Sequence, residues 1–440
     1  MIENYLILKN TFETYIESQS AIENLFGEIP NSLFKIVYRL LSAEVDTENE
    51  TNIIPILNID LGSECNLSCK YCYARQENKK LNIEKFDLKL LDVLADFINE
   101  YYTNSCHLRV NFLGTGEPFL KKEKIKKIIE SIEKAFRGKR KVSYWICTNG
   151  TIPFSEFLKE LVEYDVRIGV SLEGSKELQN ELRTSKKYMK TGTYDLIKDN
   201  IQAVYENSEL SLKVKDVWGL TVAHEKSHDL YETLLFARDL GIKRMQIKPV
   251  REANFANFYE HLERVYTEMA IRLLKDVENG NIKIIKMILN DIDYLGKFII
   301  RIMLNEKVDY RCGAGKQMFS IASDGRIYSC DSMIGFTERC LGNLNECDKI
   351  INKKEFTAIQ SYCMHNDSNC NKCLVKHICG GKCYYLDIIS DTAQKYECKL
   401  KQHLISLAIV LVDRINQNEN IREEIYSFCS VMRRIRKNGN

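Results

Sequence analysis

The chain has 440 residues, enough for two or three domains around a large α/β core. Its 63 basic residues nearly balance 61 acidic ones, which excludes the global basic field that nucleic-acid binders carry. The longest apolar stretch, around Leu404–Val412, is too short to span a bilayer, and Met1-Ile-Glu-Asn-Tyr lacks the basic and apolar regions of a signal peptide. A cytoplasmic, reducing setting is therefore expected, with no membrane and no nucleic-acid partner. In that setting 16 cysteines argue for metal rather than disulfides.

Residues 1–52 are expected to form a short hairpin, Tyr5–Leu8 and Thr14–Ile16, followed by a helix near Ser32–Leu41. From 53 to 250, β-rich runs alternate with amphipathic segments. The strands are predicted at Ile56–Leu61, Leu108–Leu113, Val142–Cys147, Val166–Leu172, Leu212–Val222 and Arg244–Lys248. The helices between them are predicted near Lys85–Tyr101, Lys121–Phe136, Pro153–Tyr164, Thr193–Glu206 and Ser227–Leu240. This alternation predicts an α/β fold, a parallel sheet curled into a partial barrel of the (β/α)6 kind. Residues 251–311 switch to long helical periodicity as a bridge. Residues 312–398 look irregular and hold most of the cysteines, and 399–440 look helical. Arg433-Arg-Ile-Arg-Lys437 is expected to be a solvated helix tip.

The chemistry-bearing residues fall where predicted strands end, the side on which parallel barrels carry their functional groups. Cys65, Cys69 and Cys72 follow the first strand with spacing Cys-x3-Cys-x2-Cys. Three thiolates are one short of a zinc site, and an odd number for disulfides. On a [4Fe–4S] cluster, usually held by four thiolates, they leave one iron open. Gly114-Thr-Gly-Glu-Pro118 follows the second strand, Thr148-Asn-Gly150 the third, and Ser171-Leu-Glu-Gly174 ends the fourth. The glycines permit close backbone approach, and Glu117 supplies a carboxylate suited to an ammonium. Thr148 and Asn149 either line a ligand site or serve as turn residues.

The cysteine loop, with Tyr71 before its third cysteine, resembles the signature of the radical S-adenosylmethionine (SAM) enzymes. The resemblance implies that Cys65, Cys69 and Cys72 hold a [4Fe–4S] cluster whose open iron chelates SAM, and that reduction yields a 5′-deoxyadenosyl radical. It implies further that Gly114, Thr115, Gly116 and Glu117 bind the amino group of SAM, with Thr115 replacing a usual glycine. Ser171 resembles the residue that bonds the ribose, Asn149 is placed near adenosine, and Arg183 resembles the arginine that pairs with the carboxylate of SAM. A reducing partner such as flavodoxin or ferredoxin is expected.

In the tail, Cys312, Gly325-x4-Cys330, Cys370-x2-Cys373-x5-Cys379-x3-Cys383 and Cys398 resemble the SPASM extension of radical SAM enzymes that modify peptides and proteins. By motif position, Cys370, Cys373, Cys379 and Cys398 would hold a distal auxiliary [4Fe–4S] cluster, and Cys312, Cys330 and Cys383 a proximal one. The proximal set lacks a fourth cysteine near Gln317. It is left open, to a substrate thiolate for instance, or completed by Cys340, Cys347 or Cys363. A zinc knuckle is the alternative for Cys370–Cys383. Cys106, Cys147 and Cys429 are expected to be buried packing residues, and His224 and His228 are given no role. Asp331 resembles the aspartate proposed as a general base in anaerobic sulfatase-maturating enzymes.

The resemblance thus implies a maturase of a ribosomally made peptide, forming a thioether at cysteine. The alternatives are a sulfatase-type formylglycine maturase, a maturase of a quinone-cofactor protein, and a non-catalytic iron–sulfur or zinc scaffold. Fifty N-terminal residues are too few for a complete winged-helix leader-binding domain, so a reduced version or a separate protein would recognise a leader.

Overall fold

The computed structural model describes residues 54–75, 86–102, 105–185, 192–213, 217–250 and 255–438. The hairpin and helix expected in residues 1–52 lie outside them. Six parallel strands form in sequence order: β1 (Ile56–Ile59), β2 (His107–Phe112), β3 (Lys141–Thr148), β4 (Asp165–Ser171), β5 (Val217–Ala223) and β6 (Arg244–Pro249). The connecting helices are α1 (Leu90–Tyr101), α2 (Lys122–Phe136), α3 (Ser155–Lys159), α4 (Lys176–Leu182), α5 (Tyr194–Glu206) and α6 (Leu230–Asp239). The expected α/β fold with a parallel sheet is present.

Side-chain alternation explains the layering. Leu57 and Ile59, Val110 and Phe112, Tyr144 and Ile146, and Ile168 and Val170 pack with Ile125, Ile129 and Ile201 of the helices in one core. The intervening positions turn to the other face and are polar there. Asn111 donates to Asn58 (2.9 Å), and Asn58 donates to Ser320 (3.0 Å), across neighbouring strands. On that face Trp145 and Trp218 meet edge to face at 4.8 Å, and Met432 packs with them.

Two differences from the sequence reading concern elements. Leu212 and Lys213 end a helix, Ser208–Lys213, and the strand begins at Val217. The run from Val217 supplies the strand, whereas Ser208–Lys213 forms a helix opened by Asn207, whose side chain accepts from the Leu210 amide (3.0 Å). The stretch expected to be irregular contains β7 (Met318–Ile321), β8 (Arg326–Tyr328) and β9 (Gly342–Asn343). Strand β7 pairs in parallel with β1, and β8 and β9 add antiparallel, so the cysteine-rich segment extends the barrel sheet. A four-residue strand is too short to show an alternation pattern, which hid β7 in the sequence.

Beyond β6 come α7 (Phe255–Glu278), α8 (Gly296–Met303), α9 (Asp391–Asn416) and α10 (Glu419–Asn438), with shorter helices between. Helix α9 runs without a break through Cys398 and the expected boundary after it. It is buried nearly all round from Leu404 to Val412, which accounts for the long apolar run. No helix of the described residues is long and apolar enough to cross a membrane. Arg433 of α10 is not solvated as expected: it pairs with Asp291 (3.0 Å) and with Glu306 at about a tenth of its free exposure.

The seam between β7 and the barrel is held by Phe319, 1% exposed, which meets Phe97, Tyr101 and Tyr102 of and beside α1 at centroid distances of 5.6, 5.8 and 6.0 Å. Phe319→Ala is predicted to lower the unfolding free energy by about 3–5 kcal/mol, measured by denaturant titration. A loss under about 1 kcal/mol would mean that β7 contributes little to the core.

Candidate active site

The four loops converge at the carboxyl end of the sheet, and their contacts are backbone-specific. Gly116 lies against the cysteine loop so closely that a Cβ there would run into the carbonyl oxygens of Gly62 and Glu64. The Glu117 amide donates to the Glu64 carbonyl at 2.9 Å. Gly114 has φ +140°, which favours glycine, and a Cβ on it would strike the Asp60 carboxylate. Asp60 instead accepts from the Thr115 amide (2.9 Å) and hydroxyl (3.0 and 3.1 Å). The threonine that departs from the glycine pattern is therefore a partner of Asp60, a buried residue that sequence reasoning missed.

Glu117 is 2% exposed and spans three groups. One oxygen accepts from the Phe119 amide (3.0 Å) and the Thr148 hydroxyl (2.7 Å), the other from the Asn149 amide (2.7 Å). The carboxylate thus braces the loop after β3 and does not stand free at the mouth. Burial raises its pKa against the pull of those donors. Asn149 in turn donates to Asn66 (2.8 Å) and approaches the Cys65 sulfur at 3.9 Å, which ties the β3 loop to the cysteine loop.

Cys65, Cys69 and Cys72 are half-buried and within electrostatic reach of one another. Burial pushes the Cys65 thiol up, with Glu117 and the other two cysteines adding to it. Among the described residues, no group of three or more His, Cys, Asp or Glu closes on a single ion. A four-iron cluster is broader than an ion and takes thiolates spread around it, so the soft, three-thiolate set fits that group. The far side of the loop is pinned by Ser68 and Lys70, whose amides donate to Thr184 (2.6 Å) and Leu182 (3.0 Å).

Arg183 stands behind this loop in a buried network. Its Nε donates to Glu173 at 2.8 Å, its guanidinium lies 5.4 Å from the Tyr71 ring, and Tyr71 donates to Glu173. His224 reaches the other Glu173 oxygen at 3.4 Å and stacks on Tyr71 at 5.3 Å. Burial works against both charges. Arg183 nevertheless pulls the Glu173 carboxyl below its ordinary value, and Tyr71 and Glu173 hold Arg183 above its own. Glu173 and His224 were assigned no role from sequence, although both sit at strand ends where functional groups collect. Ser171 is half-buried at the end of β4.

The tail cysteines separate into two places. Cys370, Cys373, Cys379 and Cys398 all line one cavity of about 530 Å³, beside Lys376, Gln394 and Gln402. This room and four-thiol lining fit a cubane cluster. Burial and Asp367 push Cys370 up to about 12, whereas at Cys379 burial is opposed by Lys401, the Gly381 backbone and Arg311, which together lower the thiol. Cys330 and Cys383 are buried together with Tyr328, Phe336 and Tyr385, while Cys312 is exposed. Of the possible additional ligands, Cys340 donates to the Gly342 carbonyl (3.1 Å), Cys347 is exposed and Cys363 is half-buried.

Asp331 follows Cys330 on the β7–β8 extension and reaches back to the barrel, within electrostatic range of Tyr73 and Cys147. Tyr73 donates to the Gly114 carbonyl at 2.6 Å. Cys147 packs as expected, against the Trp145, Trp218 and Met432 cluster, but is half-buried rather than buried, and the Trp145 indole donates to it at 3.0 Å. Its place in β3 puts it on the polar face of the sheet, opposite Ile146. Burial pushes its thiol up to about 12 although Lys248 acts the other way. Cys106 is exposed, because it precedes β2, and Cys429 alone of the three is buried.

Comparisons with known proteins agree with this geometry. Residues 59–223 match the Radical SAM superfamily. The chain is 24% identical over 341 residues to a cysteine-type anaerobic sulfatase-maturating enzyme of Clostridium perfringens, covering 73% of this chain and 86% of that enzyme. Its fold is similar to native anSMEcpe with bound AdoMet, with a TM-score of 0.65 and 20% identity over 84% of this chain and 100% of that one. The same protein with bound AdoMet and Kp18Cys peptide gives a TM-score of 0.65, 20% identity, and coverage of 83% and 100%.

Two outcomes are expected. Gly116→Ala should separate the two loops and abolish iron loading at Cys65, Cys69 and Cys72, read from iron content and the cluster absorption band. Unchanged loading would show that the close contact is dispensable. Because the Glu173 pKa is depressed, its stabilising contribution is full above the ordinary glutamate range and is lost as pH falls below about 4. Glu173→Gln should therefore be less stable than the parent at pH 7 and show a flatter loss of melting temperature on acidification. Parallel acid limbs would contradict the network.

Proposed function

Because the chain belongs to the radical SAM superfamily, we propose that it is a maturase that oxidises a side chain of a peptide or protein and joins the reacting carbon to a cysteine sulfur as a thioether. The observation that carries this reading is the short proximal set: Cys330 and Cys383 are buried together, and with Cys312 the motif supplies three thiolates. When bound, SAM and the cluster held by Cys65, Cys69 and Cys72 supply a 5′-deoxyadenosyl radical that takes hydrogen from substrate.

The residues of the chain supply the rest. Gly114, Thr115 and Gly116 offer backbone groups at the mouth, Ser171 and Asn149 flank it, and Glu117 and Asn149 fix the cysteine loop. Glu173 and Tyr71 hold the Arg183 fork in place for a carboxylate. Asp331 accepts the proton that the cysteine thiol releases as the carbon–sulfur bond closes, and the one electron left over would go to an auxiliary cluster. Cys370, Cys373, Cys379 and Cys398 would hold one auxiliary [4Fe–4S] cluster. Cys312, Cys330 and Cys383 would hold a second through three thiolates, and this short set favours a substrate sulfur as the closing atom. Flavodoxin or ferredoxin would be the reductant.

A second reading, oxidation of a cysteine or serine to formylglycine, is favoured by the alignment with 86% of a cysteine-type sulfatase-maturating enzyme. Product mass separates the two on a cysteine-containing peptide incubated with protein, SAM and dithionite. The thioether product has lost two hydrogens, kept its sulfur and become inert to thiol alkylation. Formylglycine made from cysteine has lost its sulfur and reacts with hydrazides. Asp331→Asn is expected to keep 5′-deoxyadenosine formation and lower peptide product on the order of 100-fold. Equal product from the variant would remove Asp331 from the chemistry.

A further inference from the structure

Between the two sets of tail cysteines lies a group of buried charges that the proposed reaction does not use. Arg301 and Arg311, Lys297 and Lys401 come from α8, α9 and the segment before Cys312. Arg301 is 3% and Lys401 1% exposed. Arg301 donates to the Ile378 carbonyl (2.5 Å), and Lys401 to the Gly381 carbonyl (2.7 Å), so both hold the backbone on either side of Cys379. Lys297 lies over the Tyr294 ring at 4.0 Å and the Phe298 ring at 4.9 Å. Arg311, next to Cys312, pairs with Glu397 and donates to the Tyr294 hydroxyl.

Two buried carboxyl groups, Glu397 and Asp293, belong to the same region. Glu397 accepts from Tyr294 (3.0 Å) and lies 3.7 Å from Lys401. Asp293 gives its oxygens to the amides of Ile247, Leu295 and Gly296 at 2.7–2.9 Å. Burial and the neighbouring Arg311, Arg301 and Lys401 hold the Lys297 amine well below its ordinary value, so the buried positive charges are those of Arg301, Arg311 and Lys401, each costly unless an opposite charge meets it. The cations look toward the cysteines on both sides. Lys401 is within electrostatic reach of Cys379 and Cys398, and Arg311 of Cys379 and Cys383.

We infer that Arg301, Arg311 and Lys401 form a cationic partition that carries counter-charge of the two auxiliary clusters, and that Lys401 sets the reduction potential of the cluster held by Cys370, Cys373, Cys379 and Cys398. The inference rests on the two-cluster reading above. Four thiolates and a [4Fe–4S] core make an anion, its potential follows local charge, and a fixed cation beside it favours the reduced form. Lys376, Lys382, Lys395 and Lys399 line the cavity at its more exposed side, whereas Lys401 is 1% exposed, follows Cys398 by one turn of α9 and donates to the Gly381 carbonyl beside Cys379, so water screens its charge least. Glu397, four residues before it, offsets part of that charge.

Redox titration of the anaerobically reconstituted full chain, followed by electron paramagnetic resonance, tests this. Lys401→Met should keep the parent iron and sulfide content while one auxiliary signal becomes harder to reduce. Its oxidised-to-reduced ratio at fixed potential should rise about tenfold, a shift of about 59 mV to more negative potential for one electron. Lys401→Arg should restore the parent value. Glu397→Gln should shift the same signal the other way, and it decides the matter if Lys401→Met fails to retain iron. Full iron content with unshifted potentials in Lys401→Met and Glu397→Gln would overturn the partition while leaving the clusters in place. A parent chain without auxiliary iron would overturn the cluster reading itself.

Discussion

The cysteine loop and the glycine loop touch backbone to backbone, and the rest of the mouth depends on that contact. Gly116 can sit on the Gly62 and Glu64 carbonyls only because it has no side chain, and Gly114 likewise leaves room for Asp60. From this contact Glu117 reaches the loop after β3, and Asn149 returns from there to Asn66 within the cysteine loop. One close backbone contact and these hydrogen bonds join three loops from three strands. Soft thiolates are then presented at a fixed spread, which a cluster requires and a flexible loop would not give.

The same economy of parts appears in the cysteine-rich extension. Strand β7 continues the barrel sheet beside β1, so Asp331 and Cys330 are positioned by the hydrogen bonds that order the barrel itself. A separately folded module would have to orient them through side-chain contacts alone. The distal cysteines are held differently, by α9 and the turns before it, around a cavity large enough for a cluster. Buried cations occupy the ground between these two places, which is where excess negative charge would otherwise be unstable.

Much of this was legible in the sequence because strand order and loop chemistry are local signals. Six alternating runs located six parallel strands, and the spacing Cys-x3-Cys-x2-Cys marked the loop after the first. The four distal cysteines, grouped by the resemblance to the SPASM extension, line one cavity. Features that depend on long-range contact were not legible. Glu173 and His224 gain meaning only when Arg183 and Tyr71 fold back on them. Thr115 read as a departure until Asp60 explained it. Cys147 is only half-buried and Cys106 was misplaced because an apolar neighbourhood in sequence does not say which face of a strand, or which side of its start, a residue occupies. Arg433 looked solvated for the same reason: Asp291 and Glu306 lie far from it along the chain.

The central claim is that one chain holds one SAM-binding cluster in the barrel and two more in its extension. Iron and sulfide counted per chain after anaerobic reconstitution test it directly, with a variant in which Cys65, Cys69 and Cys72 are all alanine alongside. The account predicts about twelve irons, falling to about eight in the variant. About four irons accompanied by zinc, falling to none, would make the extension a structural zinc module and contradict the account.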